Sequence, residues 1–248
     1  MTPPLLVLAI VVFAGFTVEA AIGFGATLVI VAMASLVMAT PEALARVVPL
    51  NVLLSLAIVL RAPRAVDVGT LLRRILPVML LGLPLGFLAV RALPERRLAQ
   101  VFALFVLVLA TAELAAMARS ANKTGPSRPL SATARTLLLL LGGVAHGALA
   151  SGGPPIVYVC ARSLPDKTVF RATMSALWLV CNVALVGIYL VDGRVTTGSL
   201  RDSAPLVVPL VCGIAAGEAL HHHVSERAFR LTVFILLFVV AVVLAVRA

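Results

Sequence analysis

Two short interruptions in otherwise apolar sequence carry the residues best suited to chemistry. One is Gly23-Phe24-Gly25-Ala26-Thr27 and the other is Ser151-Gly152-Gly153-Pro154-Pro155. Glycine and proline break helices, and a broken helix in apolar surroundings leaves backbone N–H and C=O groups unpaired. Lipid does not tolerate such groups, so they must be buried in protein or line a polar cavity. A half-helix starting after each break would aim its free N–H groups and positive dipole end inward, which suits an anion. The competing account of these glycines is close helix packing, as on small-xxx-small faces. Gly-Gly-Pro-Pro is more disruptive than close packing requires.

Ionisable and amide side chains inside the apolar runs are the next candidates, because each is costly in lipid unless it faces a cavity or a partner. Glu19 precedes the first break and His146 the second. A carboxylate and an imidazole placed in this way could relay a proton, or could instead face a vestibule and satisfy a backbone carbonyl. Arg46 and Arg171 each follow a break by about one helix. A guanidinium offers bidentate bonds to an oxyanion, although an arginine near a span end also snorkels to the interface. Asn51 and Asn182 could donate to anion oxygens or bridge helices. Glu113 and Glu218 lie near span ends, where simple exposure is expected. His221-His222-His223 point in different directions on a helix and are expected in an interfacial loop. No Gly-rich phosphate loop, nucleophile elbow or His-Glu-x-x-His pattern occurs, so neither an enzyme, a cofactor nor a bound metal is expected.

The elements that must position these groups follow from composition. Of 248 residues, 62% are hydrophobic and only 12% charged. A soluble domain is about a quarter charged, so a soluble enzyme, a disulfide scaffold and a disordered chain are excluded. The net charge of +10 comes from Lys and Arg between apolar runs, with no basic stripe and interleaved aromatics, so nucleic acid is not an expected partner. Cys160, Cys181 and Cys212 lie inside apolar runs and read as small core hydrophobes. The first residues lack the basic n-region of a cleaved signal peptide, so Thr2-Pro3-Pro4 is expected to open the mature chain.

Taking about 20 apolar residues per span, the chain divides into blocks at 5–39, 43–60, 75–90, 98–117, 136–160, 172–191, 204–220 and 229–246. The polar, basic stretch 119–135 lies near the midpoint. A shift of 128 residues sets Gly15, Ala20 and Gly25 on Gly143, Ala148 and Gly153, and a shift of 131 sets Gly82 and Gly86 on Gly213 and Gly217. Two homologous halves are expected, residues 1–118 and 136–248, joined by the linker 119–135. Four full spans per half would make the halves parallel, but the first block would exceed about 50 Å as one helix, which favours a block that goes in and returns. With three further spans per half, the halves are then inverted. The expected fold is an all-α polytopic membrane protein of two inverted repeats, each a broken or re-entrant first helix pair plus three spanning helices, about 8–10 membrane segments in all. Basic residues then concentrate on the side holding Arg61, Arg64, Arg73, Arg74 and the linker, which should be cytoplasmic.

On these motifs the sequence resembles the TauE/SafE sulfite exporter family, also called the toluene-sulfonate uptake permeases. The similar elements are Gly15 with Gly23-Phe24-Gly25, the run Ser151 to Pro155, the stretch Leu164 to Thr173, and the pairs Gly82/Gly86 and Gly213/Gly217 before Glu-Arg turns. Many members carry three glycines in the first motif, where this chain continues with Ala26 and Thr27. The resemblance implies transport of sulfite, a sulfonate or a related small organosulfur anion across a bacterial inner membrane. A substrate site is expected at Gly23, Gly25, Ala26, Thr27, Arg46, Asn51, Ser151, Gly152, Gly153, Pro154, Arg171 and Asn182, with Glu19 and His146 as proton-coupling groups. The partners expected are the anion, a coupling ion such as H+, the bilayer and, as a possibility, a second copy of the chain. A passive anion channel and a non-transporting scaffold or sensor are the rival functions.

Overall fold

The structure, a computed structural model, describes residues 3–120, 130–164, 166–223 and 226–247. Every element among them is helical. In chain order the first half comprises α1 (Pro3–Ile22), α2 (Ala26–Ala34), α3 (Thr40–Arg61), α4 (Val68–Thr70), α5 (Leu76–Arg91) and α6 (Glu95–Ser120). The second half comprises α7 (Ala132–Leu149), α8 (Gly153–Ser163), α9 (Lys167–Val191), α10 (Thr197–Ser203), α11 (Val207–His223) and α12 (Glu226–Arg247). Among the described residues, six stretches are long and apolar enough to cross a membrane: Thr40–Arg61, Val68–Arg91, Arg96–Arg119, Ala132–Leu149, Lys167–Val191 and Thr197–Leu220. Leu81, Leu88, Leu104, Val108, Val183 and Val211 point outward and exposed, as lipid-facing side chains do. The chain is an all-helical, multi-pass membrane protein.

Both interruptions break their helix, by different local chemistry. Gly23 and Gly25 adopt φ values of 89° and 104°, which L side chains rarely reach, so α1 stops at Ile22 and α2 restarts at Ala26. In the second half Ala150 takes φ 50°, a strained left-handed conformation for a non-glycine residue. α8 then restarts with proline in its first turn, where a missing N–H costs nothing. Each first block is thus a pair of helices folded back on itself, with Gly15 facing Ile30 and Gly142 facing Ile156. Elsewhere, residues Leu71–Ile75 form a π-helical stretch between α4 and α5. The ring of Pro77 would clash with the Arg73 carbonyl in a regular helix, and a wider turn relieves that. Just before α4, the backbone N–H and hydroxyl of Thr70, both donated to Asp67, hold its carboxyl below the usual carboxylate range.

The helix pairings exchange when the halves are exchanged. α1 packs on α11 as α7 packs on α5, while α3 packs on α9 and α6 on α12. Glycines make the first two contacts backbone-close. Gly82 and Gly86 face Val144, and Gly143 and Gly147 face Met79 and Leu83. Gly213 faces Phe13 and Phe16, and Gly217 faces Thr17 and Ala20. Residue numbers rise together across both contacts, so each pair is parallel. α3 and α9 run antiparallel. The start of α3 meets the segment after α9 through Arg46 and Asp202. The end of α3 and the start of α9 share Glu218 through Arg61 and Arg171. Most of the linker 119–135 lies outside the described residues, as do the side chains of Pro154 and of residues 221–223.

Candidate functional site

The antiparallel crossing of α3 and α9 brings two amides together near the middle of both helices. Asn182 Nδ2 donates to Asn51 Oδ1 at 2.9 Å, and Ser55 Oγ donates to the same oxygen at 3.1 Å. Asn51 Nδ2 donates to Thr27 Oγ1 at 3.1 Å and to Glu19 Oε2 at 3.3 Å. Glu19 Oε2 also accepts the Ala26 N–H, the first of α2, at 2.9 Å. The turn made by Gly23 and Gly25 folds Glu19 back onto the helix that follows it. A carboxylate at a helix N-terminus meets both the free N–H groups and the positive dipole end. The first break is therefore already filled by an acceptor that belongs to the chain, the Glu19 carboxyl group.

The second break has no such occupant. There Ser151 Oγ is buried without a hydrogen-bond partner, and the ring nitrogens of His146 and Asn182 Oδ1 make no hydrogen bond of normal geometry, although the His146 and Asn182 side chains adjoin each other. His146 is 2% exposed, Ser151 7% and Asn182 1%. The backbone N–H groups of Ser151, Gly152 and Gly153 find no acceptor among the described residues. Buried polar groups are nearly always paired, so several unpaired ones converging on one place call for a polar guest. Pro154 and Pro155 supply no N–H, so α8 offers fewer donors than an ordinary helix start, and the side chains carry more of the recognition.

These groups surround a cavity of about 40 Å³ between the breaks, room for about three water molecules. Its polar wall is Glu19, Thr27, Asn51, His146, Ser151 and Asn182, with Gly25, Gly152 and Gly153 completing it. Val18, Phe24, Leu28, Trp178, Phe234 and Leu237 form the apolar wall. Phe24 closes the gap between the breaks, since a Cβ on Gly153 would stand 3.6 Å from its ring.

Most of the residues singled out from sequence meet at this cavity, and some do not. Gly23 and Ala26 flank it: the Gly23 carbonyl accepts from Trp178 Nε1 at 3.2 Å, and the Ala26 N–H is held by Glu19. Arg46 and Arg171 lie at opposite ends of the α3–α9 pair, off the cavity wall. Arg46 is 2.5 Å from Glu42 and 3.9 Å from Asp202. Arg171 pairs with Glu218, which also takes Arg61 at 3.7 Å. The stem of Arg171 abuts the first break, where a Cβ on Gly23 would stand 3.4 Å from Arg171 Cα. Its Nε is buried without an acceptor. Glu218 is more than an exposed span-end residue, since it ties α11 to both α3 and α9.

Trp178 is absent from the sequence candidates, yet it links the two breaks. Its ring stacks on His146 with centroids 5.4 Å apart and planes inclined by 21°, while its nitrogen holds the Gly23 carbonyl. The available signal was its place four residues before Asn182, on the same helix face, as the chain's only tryptophan.

The family model for Sulfite exporter TauE/SafE matches residues 7–244. No curated protein and no solved structure matches the chain. The match runs from the first helix to the last and takes in both breaks and the cavity between them, so the chain belongs to the sulfite exporter TauE/SafE family.

Proposed function

We propose that this membrane transporter of sulfur anions is a secondary carrier whose substrate, sulfite or a related small organosulfur anion, is held at the second break. The observation that carries this reading is the polar lining of the second break: Ser151 Oγ buried without a partner, the His146 ring nitrogens with no hydrogen bond of normal geometry, and the N–H groups from Ser151 to Gly153, which find no acceptor among the described residues. A hydroxyl, an imidazole N–H and backbone N–H groups are the donors an oxyanion needs. Neutral donors also suit a carrier, because a site must bind firmly enough to load and loosely enough to release. A cavity of about 40 Å³ favours an ion of four or five non-hydrogen atoms and has no room for an aromatic ring.

Two inverted repeats, residues 1–118 and 136–248, would expose this site alternately to the two sides. The reading is supported by pairings that interchange with the halves and by the antiparallel run of α3 and α9. The ion pairs of Arg46 with Asp202 and of Arg61 and Arg171 with Glu218 then fasten opposite ends of the pathway. Partly exposed pairs are worth about 0–1 kcal/mol each, so either end opens at little cost. Glu19 and His146 face the same cavity and are the groups to carry a coupled proton. The linker 119–135 lies on the cytoplasmic side of an inner membrane.

The test is sulfite counterflow in liposomes reconstituted with the full chain. A hydrogen bond to a charged group contributes about 1.5–3 kcal/mol, so Ser151→Ala should weaken sulfite binding by about tenfold or more. Sulfite preloaded inside should accelerate uptake of labelled sulfite. Uptake that is indifferent to preloading would identify a channel, and Ser151→Ala with unchanged affinity would remove the anion from the second break.

A further inference from the structure

The charge on the cavity wall is unusual for an anion site. Among the described residues, Glu19 and His146 are the ionisable side chains lining it, and no lysine or arginine does. Arg171, the cation beside the first break, is paired with Glu218, and Arg46 lies near Glu42 and Asp202. The positive end of α2 is already matched by the Glu19 carboxyl. What remains for a guest is the start of α8, worth about half a unit charge, together with neutral donors. One negative charge is well served there. A second would be unmatched in a membrane interior, beside a carboxyl group, where charges are weakly screened.

We infer that the cavity selects singly charged anions with an SO3 head, hydrogen sulfite rather than the sulfite dianion among them, over doubly charged ones, with Glu19 as the specificity-determining group. This rests on the sulfur-anion reading and narrows it to a charge class. The three oxygens face Ser151, His146 and the N–H groups of the second break, and the fourth substituent on sulfur faces the apolar wall at Phe24 and Trp178. An apolar substituent there is welcome, whereas a charged oxygen is not.

Methanesulfonate and sulfate isolate the charge. Each has five non-hydrogen atoms in a tetrahedron with three S–O bonds in common, and they differ in a methyl group against an anionic oxygen. Binding of each to the purified full chain is measured by calorimetry in detergent, with sulfite alongside. Methanesulfonate should bind about a hundredfold more tightly than sulfate. Glu19→Gln keeps an oxygen to accept the Ala26 N–H and cannot ionise, so the methanesulfonate-to-sulfate ratio should narrow by about tenfold whatever happens to the absolute affinities. A wild-type ratio within about threefold overturns the charge selection. An unchanged ratio in Glu19→Gln overturns the assignment to Glu19. Sulfite binding with neither tetrahedral ion also overturns the inference, because recognition would then follow shape. No binding of any of the three ions overturns the sulfur-anion reading itself. The wild-type ratio needs no variant, so a Glu19→Gln chain that fails to fold leaves that test standing.

Discussion

Gly152 and Gly153 are adjacent in the second break and carry opposite forecasts. Gly152 has φ −79° and ψ 3°, a conformation open to most residues, so backbone freedom is not what glycine supplies there. Space is. A Cβ at 152 would overlap the Gly142 carbonyl oxygen and stand only 3.0 Å from both Gly142 C and His146 Cβ. The obstruction is α7 backbone, which no rotamer change can move, so the break and α7 must part by about 1 Å. A radial gap of that size forfeits about half of each dispersion contact across it, and overpacking of this kind costs about 1–3 kcal/mol. At Gly153 the first atom met is Phe24 Cδ2 at 3.6 Å, an ordinary contact.

Gly152→Ala should therefore lower the unfolding temperature in detergent by about 4–8 °C, taking about 2 kcal/mol and the usual dependence for a chain of this size. Gly153→Ala should stay within about 2 °C of the wild type. The same displacement pushes His146 away from Ser151, so sulfite affinity measured below both transitions should fall with Gly152→Ala beyond any stability effect. Equal thermal stability of the two variants would refute the close approach of α8 to α7. A larger loss from Gly153→Ala would refute the geometry of the break altogether.

The close contact of α5 with α7 gives a second pair of outcomes. A Cβ at Gly86 would lie 2.7 Å from Val144 C and 2.9 Å from Ala148 N, so Gly86→Ala should cost about 2–3 kcal/mol in detergent unfolding. Gly187 on α9 meets nothing within 4 Å, and Gly187→Ala should be neutral or stabilising by about 0.5–1 kcal/mol; comparable losses at both would refute the parallel α5–α7 register. For the arginines, Arg46→Ala and Arg171→Ala should reduce counterflow while sulfite affinity stays within about twofold, because each fastens an end of the pathway away from the cavity. Affinity lowered by tenfold or more would return the guanidinium groups to direct contact with the anion.

The breaks were legible in sequence because they are local. Gly23, Gly25 and the run Ser151 to Pro155 announce themselves by backbone chemistry, and the helices stop where that chemistry requires. The meeting of Asn51 with Asn182 was only half legible. They lie on the second apolar span of each half and could bridge helices, but their hydrogen bond depends on α3 crossing α9, which joins residues 131 apart. Arg46 and Arg171 show the limit of this reasoning. Each looked like an anion ligand because each starts a span after a break. The carboxylates they meet, Asp202 and Glu218, come from helices that no local pattern places beside them. Trp178 was hidden for a similar reason, since its carbonyl partner at Gly23 is 155 residues away.

The two breaks are unlike in what their polar groups meet, and the difference has an electrostatic reason. Two anions about 6 Å apart at an effective dielectric constant of about 20 repel by about 3 kcal/mol. Two symmetric half-sites that both started helices toward one small cavity would face that repulsion whenever both were filled. Here Ala26 and Thr27 stand where many relatives continue with glycine, and the N–H of Ala26 is engaged by Glu19. A helix start bonded to its own carboxyl group cannot load a second ion. His146, which precedes the second break as Glu19 precedes the first, is a potential donor where Glu19 is an acceptor, and its nitrogens make no hydrogen bond of normal geometry. The asymmetry leaves one break with open donors beside a neighbouring acid, an arrangement that on the proposed function fits one anion per cycle with the acid close enough to register its arrival.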